Sequence, residues 1–159
     1  MAQNRPYQAT DNLFLNSDFE GTGGQWNNAT FLKNAKVVSD STAVSGNKSL
    51  YFDTSAQKDG AFYKFKVKVK PNTNYVLTYW YKHASDDTAK NTYCFVRGGN
   101  GTIDDAHISS AYMHTGSTTE WKKETLTFRT GDSDKLGIDF RVVKGTHVYI
   151  DDVELYEVQ

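Results

Sequence analysis

The sequence predicts an all-β fold, a two-sheet antiparallel β-sandwich or jelly roll, and three observations predict it. No segment sustains apolar residues at i, i+3, i+4 and i+7 over ten positions. Short runs of alternating apolar and polar residues recur along the chain instead. Turn-forming stretches separate them at "DG", "KPNTN", "RGGNG", "TGDSD" and "VKGT". In a strand, successive side chains point to opposite faces, so each run buries one face and turns the other outward.

The opening residues 1–11 join no pattern and are expected to form a flexible segment before a single domain over 12–159. The candidate strands follow in order: Asn12–Leu15, Ala35–Asp40, Ser49–Asp53, Ala61–Lys70, Asn74–Lys82, Thr92–Gly98, Ala106–Tyr112, Trp121–Thr130, Lys135–Val143 and Val148–Glu157. In Ala61–Lys70, Tyr63, Phe65, Val67 and Val69 alternate with Lys64, Lys66, Lys68 and Lys70, a solvated stripe that protects a sheet edge. In Asn74–Lys82 the core phase is Tyr75, Leu77, Tyr79 and Tyr81, which leaves Val76, Thr78, Trp80 and Lys82 on the other face.

The later strands divide in the same way. "TYCFVRG" sends Cys94 and Val96 inward and Tyr93, Phe95 and Arg97 outward, unless a bulge swaps Phe95. "WKKETLTF" is fixed by Leu126 and Phe128, with Trp121, Lys123, Thr125 and Thr127 on the opposite face. "LGIDFRV" buries Leu136, Ile138, Phe140 and Val142 and turns Asp139 and Arg141 out together. In "VYIDDVELYEV" the apolar phase changes from Val148 and Ile150 to Val153 and Leu155, which predicts a bulge at Asp151-Asp152.

Bulk composition excludes several function classes. The 159 residues include 18 Lys+Arg and 19 Asp+Glu, a net charge of −1, so no general electrostatic pull toward nucleic acid or an anionic membrane exists. The single cysteine, Cys94, excludes an internal disulfide framework and a zinc centre built on thiolates, and its apolar setting predicts burial. No apolar span approaches the roughly 20 residues that cross a membrane, and a processed export signal with a secreted or cell-surface location is expected. Aromatic residues are 14% of the chain although the mean hydropathy is −0.64. Some rings must therefore face water or a ligand.

Catalysis lacks its parts. The neighbours Asp86-Asp87, Asp104-Asp105 and Asp151-Asp152 diverge on strands or lie in loops, so none makes an acid and nucleophile pair. His83, His107, His114 and His147 are scattered without metal-ligand spacing, and no Gly-rich phosphate loop runs from a strand into a helix. A sheet surface with Trp, Tyr, Phe, Arg and Asp together suits sugar rings instead. Pyranose C–H groups pack on aromatic faces while charged side chains hydrogen-bond to hydroxyls. At the two ends, if the first and last strands lie together, Glu20 and Asp152 meet; two such carboxylates need a proton or a cation, and with no Cys or His nearby the hard-oxygen choice is calcium.

"NLFLNSDFEG", "GNKSLYF", "VKPNTNYVLTYWYK", "EWKKETLTF" and "VYIDDVEL", in that order, resemble the β-jelly-roll carbohydrate-binding modules grouped around families four, nine, sixteen and twenty-two. The resemblance runs from Asn12 to Val158. It implies a structural calcium held by the side chains of Glu20 and Asp152 with carbonyls of Asp18 and Lys48. It also implies a glycan cleft on a concave sheet, with Trp26, Trp80 and Trp121 as stacking candidates, Trp121 serving packing or stacking. Trp80 is then expected on one face with Lys82, Tyr93, Arg97, Asp139 and Arg141. The implied function is a monomeric, non-catalytic module that binds β-linked plant-type polysaccharide and delivers an attached catalytic domain, with no nucleic-acid or membrane partner. A structural or adhesion module on the same scaffold is the alternative.

Overall fold

The computed structural model describes residues 12–13, 19–21, 35–53, 61–83, 93–99, 107–112, 120–142 and 147–158. Every regular element among them is a strand: β1 (Ala35–Ser39), β2 (Lys48–Asp53), β3 (Ala61–Lys68), β4 (Asn74–His83), β5 (Tyr93–Gly98), β6 (His107–Tyr112), β7 (Lys122–Arg129), β8 (Lys135–Val142) and β9 (His147–Glu157). Each lies where alternation predicts a strand, with ends shifted by a residue or two. The expected first strand, Asn12–Leu15, is described only at Asn12 and Leu13. Those two residues lie along β9, with Leu13 N–H on the Leu155 carbonyl at 2.7 Å. The Asn12 side chain also accepts from Leu155 N–H at 2.8 Å and donates to the Val153 carbonyl at 3.2 Å.

The strands form two antiparallel sheets. One has five strands in the order β1-β2-β9-β4-β7 and the other four in the order β3-β8-β5-β6. The β3–β4 connection crosses between sheets through a turn whose Asn72 takes a left-handed φ of 51°, a conformation asparagine tolerates better than most residues.

The core lies between the two sheets. From the five-stranded sheet come Leu50, Phe52, Leu77, Tyr79, Ile150 and Leu155, and from the four-stranded sheet Cys94, Val96, Leu136, Ile138 and Phe140. Tyr79 and Phe140 meet edge to face across the layer at 5.1 Å between ring centroids, the arrangement ring quadrupoles favour. Tyr75, Leu77, Tyr79 and Tyr81 are all buried as their spacing predicts. Val76 and Thr78 on the opposite phase of β4 are buried too.

The predicted bulge is present. Trp80 pairs with Asp151 and Thr78 with Glu154, so Asp152 and Val153 oppose the single residue Tyr79. Asp152 takes a left-handed φ of 46°. The extra residue lets Val148 and Ile150 before it, and Val153 and Leu155 after it, all reach the core.

Candidate functional site

The outer face of the four-stranded sheet gathers one group of polar and aromatic side chains. β8 runs between β3 and β5, and cross-strand register sets Asp139 opposite Lys64 on one side and Phe95 on the other. Arg141 is two residues along β8 and therefore on the same face as Asp139. Its Nε donates to Asp139 Oδ2 at 2.9 Å. Asp139 is buried while the Arg141 side chain keeps 28% exposure, so the carboxylate fixes a guanidinium that still reaches solvent. The other oxygen, Asp139 Oδ1, has no hydrogen-bond donor among the described residues.

Two guanidinium groups lie near the Phe95 ring. The Arg97 guanidinium lies 5.1 Å from its ring centroid and the Arg141 guanidinium 5.2 Å. Such contacts stabilise by roughly 0.5–1 kcal/mol each at exposed positions and hold the planar groups in place. A ring, two guanidinium planes and a buried carboxylate can together stack on a sugar and bond its hydroxyls. Tyr93 pairs with Arg141 in register, and its side chain lies outside the described residues.

Trp80, Lys82 and Trp121 belong to a different face. Trp80 lies opposite Asp151 and Lys123, and Lys82 opposite Tyr149, all on the outer side of the five-stranded sheet. The single surface expected to join Trp80 and Lys82 with Tyr93, Arg97, Asp139 and Arg141 is therefore corrected. The core separates the two sheets, so the outward phases of β4 and β8 point to opposite sides of the sandwich. Alternation assigns each residue a face of its own sheet, but it does not say which strands share a sheet.

On this second face the side chains hold one another. Lys82 Nζ lies 4.7 Å from the Trp121 ring centroid and 5.0 Å from that of Tyr149, and it pairs with Asp40 at 3.5 Å. It also donates to the Thr42 hydroxyl, and the Trp121 indole N–H donates to the Thr42 carbonyl. Tyr149 stacks on Tyr51 at 4.5 Å. Lys82 and Trp121 thus fasten the turn after β1 to the sheet. Trp80 is half-buried, with Lys123 Nζ 6.0 Å from its ring centroid. Its indole N–H is buried without an acceptor among the described residues.

The acids at the two ends converge on the turn before β2. Glu20 Oε1 accepts the backbone N–H groups of Asn47 at 2.8 Å and Lys48 at 2.6 Å. Asp151 Oδ2 accepts those of Val44 at 2.9 Å and Ser45 at 3.2 Å, and Asp152 Oδ1 accepts from the Ser45 hydroxyl. Burial pushes Asp151 up to about 7, against the opposing effect of the Asp152, Ser45 and Val44 N–H groups, and the Asp152 charge adds to the rise. Glu20 and Asp152 thus each contact the stretch 44–48, Asp152 at Ser45 and Glu20 at Asn47 and Lys48. Among the described residues no three acidic, histidine or cysteine side chains gather around a common point. Asp18 and Trp26, the other candidates, lie outside the described residues.

Two participants escaped the candidate set. The alternation in "TYCFVRG" puts Phe95 on the outward face, where it joins the Arg97 and Arg141 group although it is not among the candidate contacts. The sequence points to Asp152 as the ligand, and Asp151 beside it also meets the same turn. Only the bulge shows that the first acid reaches back to the 44–45 amides.

The comparisons with known proteins agree with this fold. A carbohydrate binding domain model matches residues 11–148. Among solved structures, a family 16 carbohydrate binding module is 21% identical with a TM-score of 0.63, covering 91% of this chain and 99% of that one. The CBM22-1 xylan-binding domain of Paenibacillus barcinonensis Xyn10C is 16% identical with a TM-score of 0.64 and 99% coverage of both chains. TmCBM61 in complex with β-1,4-galactotriose is 18% identical with a TM-score of 0.62, over 93% of this chain and 99% of that one. No curated protein matches the chain.

Proposed function

The chain belongs to the carbohydrate binding domain family, and from that premise we propose that it binds polysaccharide on the outer face of the four-stranded sheet. The observation that carries this reading is the Phe95 ring beside the Arg97 and Arg141 guanidinium groups, with Arg141 held by the buried Asp139. The ring packs against pyranose C–H groups, while Arg141 and Arg97 donate to hydroxyls or ring oxygens. Solved modules of the same fold include a xylan-binding domain and one in complex with β-1,4-galactotriose, which supports a β-linked glycan.

The face works without catalysis: it concentrates an attached enzyme on its polymer, in a secreted or cell-surface setting, and the module acts as a monomer. One stacked ring and a few charged hydrogen bonds on an open sheet give a dissociation constant in the micromolar to millimolar range, roughly −4 to −8 kcal/mol.

Calcium is part of the same proposal. Glu20, Asp151 and Asp152 bring carboxylate oxygens to residues 44–48, where they accept from N–H and hydroxyl donors, and carboxylate oxygens suit a hard cation. Glu20 and Asp152 would hold it, aided by backbone carbonyls, and the ion would tie the chain's first residues to β9. Added calcium should raise the melting temperature of chelator-treated protein, and Asp152→Asn should remove the rise. Identical melting with calcium and with chelator overturns the metal.

The test of glycan binding is affinity electrophoresis in gels containing glucan, glucomannan, mannan, xylan or xyloglucan. Wild type should be retarded in at least one gel, and Phe95→Ala and Arg141→Ala should run as in polymer-free gel while melting within a few degrees of wild type. Retardation that persists in both variants would move the site elsewhere.

A further inference from the structure

Where β5 ends and β7 turns into β8, the sandwich leaves a pocket of about 220 Å³. It lies on the inward phase of the sheet. Gly98, at its wall, pairs with the core residue Leu136, whereas Phe95 pairs with Asp139 on the outer face. The two positions are roughly 10 Å apart along β5. Ile108 on β6 and Leu136 give the pocket apolar surface, and the β7–β8 turn gives it a polar rim of Asp132, Ser133 and Lys135. Asp132 and Lys135 are exposed.

Backbone hydrogen bonds brace these walls. Gly99 N–H donates to the Lys135 carbonyl and Asn72 N–H to the Gly131 carbonyl, each at 2.9 Å. Ser133 Oγ accepts from Lys135 N–H at 3.1 Å, and Asp132 Oδ1 from the Asn72 side-chain amide at 3.3 Å. Gly131, which also lines the pocket, is a glycine that the backbone does not require. Its φ is not left-handed, and a Cβ there would meet no heavy atom within 4 Å. The steric and conformational reasons for glycine are both missing, and what a side chain at this position would take up is the space of the pocket.

We propose that this pocket is a second sugar site, separate from the outer face, and that it takes one pyranose: the terminal residue of a glycan chain. Its volume is below the roughly 300–1,000 Å³ of clefts that bury drug-sized ligands, so it holds one ring. An internal sugar has a neighbour on each side, so a chain enters such a pocket by its end. The C–H face of the ring packs on Ile108 and Leu136, while adjacent hydroxyls donate to the Asp132 carboxylate and accept from the Lys135 ammonium. Two rim charges of opposite sign suit a neutral polyhydroxyl ligand better than an ion. No aromatic ring lines the pocket among the described residues, so a flat aromatic ligand finds no stacking partner.

The experiment titrates the ¹⁵N-labelled chain with glucose, galactose, mannose and xylose, and with xylotriose and β-1,4-galactotriose. The amide signals of Gly98, Gly99, Ile108 and residues 131–136 should shift with at least one monosaccharide and one trisaccharide, saturating at roughly millimolar concentration. Gly131→Leu should fill the pocket and weaken this response at least about tenfold, while melting within a few degrees of wild type. Asp132→Asn and Lys135→Ala, changes on exposed side chains, should each weaken it as well, and Phe95→Ala should leave it as it is. No shift at these amides with any of the sugars overturns the site. A response that survives Gly131→Leu, or is untouched by both rim variants, overturns it too. Shifts confined to the surroundings of Phe95 and Arg141 overturn the pocket and leave the outer-face reading intact. Pocket shifts that remain in Phe95→Ala, with no retardation of wild type by any polymer, uphold the pocket although the outer-face reading falls. Shifts with monosaccharides alone overturn the chain-end assignment.

Discussion

Lys82 and Trp121 meet on the outer face of the five-stranded sheet, the ammonium 4.7 Å from the ring centroid, and both reach the same residue, Thr42. The contact spans 39 residues of sequence between β4 and the start of β7 and pins a turn that follows β1. It converts two side chains expected at a sugar into a latch. Trp121→Phe keeps the ring and loses the N–H to the Thr42 carbonyl, so it should cost about 1 kcal/mol in urea denaturation. Lys82→Met should cost about 1–2 kcal/mol because it loses the cation–π contacts and the Asp40 pair. Glycan retardation should be unchanged in both, and lost binding at full stability would return these residues to the binding surface.

The same latch gives a pH signature. Burial raises the Asp40 pKa, but the Thr42 hydroxyl and amide, the Ser49 hydroxyl and the Lys82 charge outweigh it, and the pKa is lowered. A carboxylate with a lowered folded-state pKa stabilises the protein above its unfolded value near 3.9 and ceases to do so as pH falls through the folded value. Wild type should therefore exceed Asp40→Asn in stability at pH 6, and the gap, about 1 kcal/mol for a single ion pair, should close as pH falls through the lowered folded value. A gap that grows on acidification contradicts the assignment.

Gly46 is the point where the turn before β2 depends on backbone freedom. Its φ is +63°, and a Cβ there would come within 2.3 Å of the Glu20 carboxyl carbon. Gly46→Ala should destabilise by about 2–3 kcal/mol, about 1 kcal/mol from the left-handed conformation and the rest from displacing Glu20 from the Asn47 and Lys48 amides. Thermal melting of Gly46→Ala, Glu20→Ala and the double variant checks this. The double variant should lose much less than the sum, because both changes remove one contact.

The inter-sheet ring pair separates packing from polarity. Phe140→Ala should cost about 3–5 kcal/mol through the cavity it leaves beside Tyr79. Tyr79→Phe should be neutral or stabilise by up to about 1 kcal/mol, since its buried hydroxyl, whose pKa burial raises, faces the Cys94 thiol, a weak partner. A large loss from Tyr79→Phe would mean that the hydroxyl has a strong acceptor.

Strand positions, core phase and the β9 bulge were legible because strand alternation is a local property with a period of two residues. "YVLTYWYK" fixes Tyr75, Leu77, Tyr79 and Tyr81 as core wherever the strand goes, and the phase change across Asp151-Asp152 demands an extra residue whatever lies beside it. Composition likewise excluded an internal disulfide framework, since the chain has a single cysteine. Sheet membership was not legible, because it is set by long-range pairing that no local period encodes. β4 pairs with β9 and β7 while β8 pairs with β3 and β5, and this alone decides that Trp80 and Asp139 look away from one another. The tertiary structure also decided that Lys82 and Trp121 serve the Thr42 turn and that Arg97 and Arg141 share the Phe95 ring. Each of these depends on strands distant in sequence coming within about 5–10 Å, a distance fixed by how two sheets share one core.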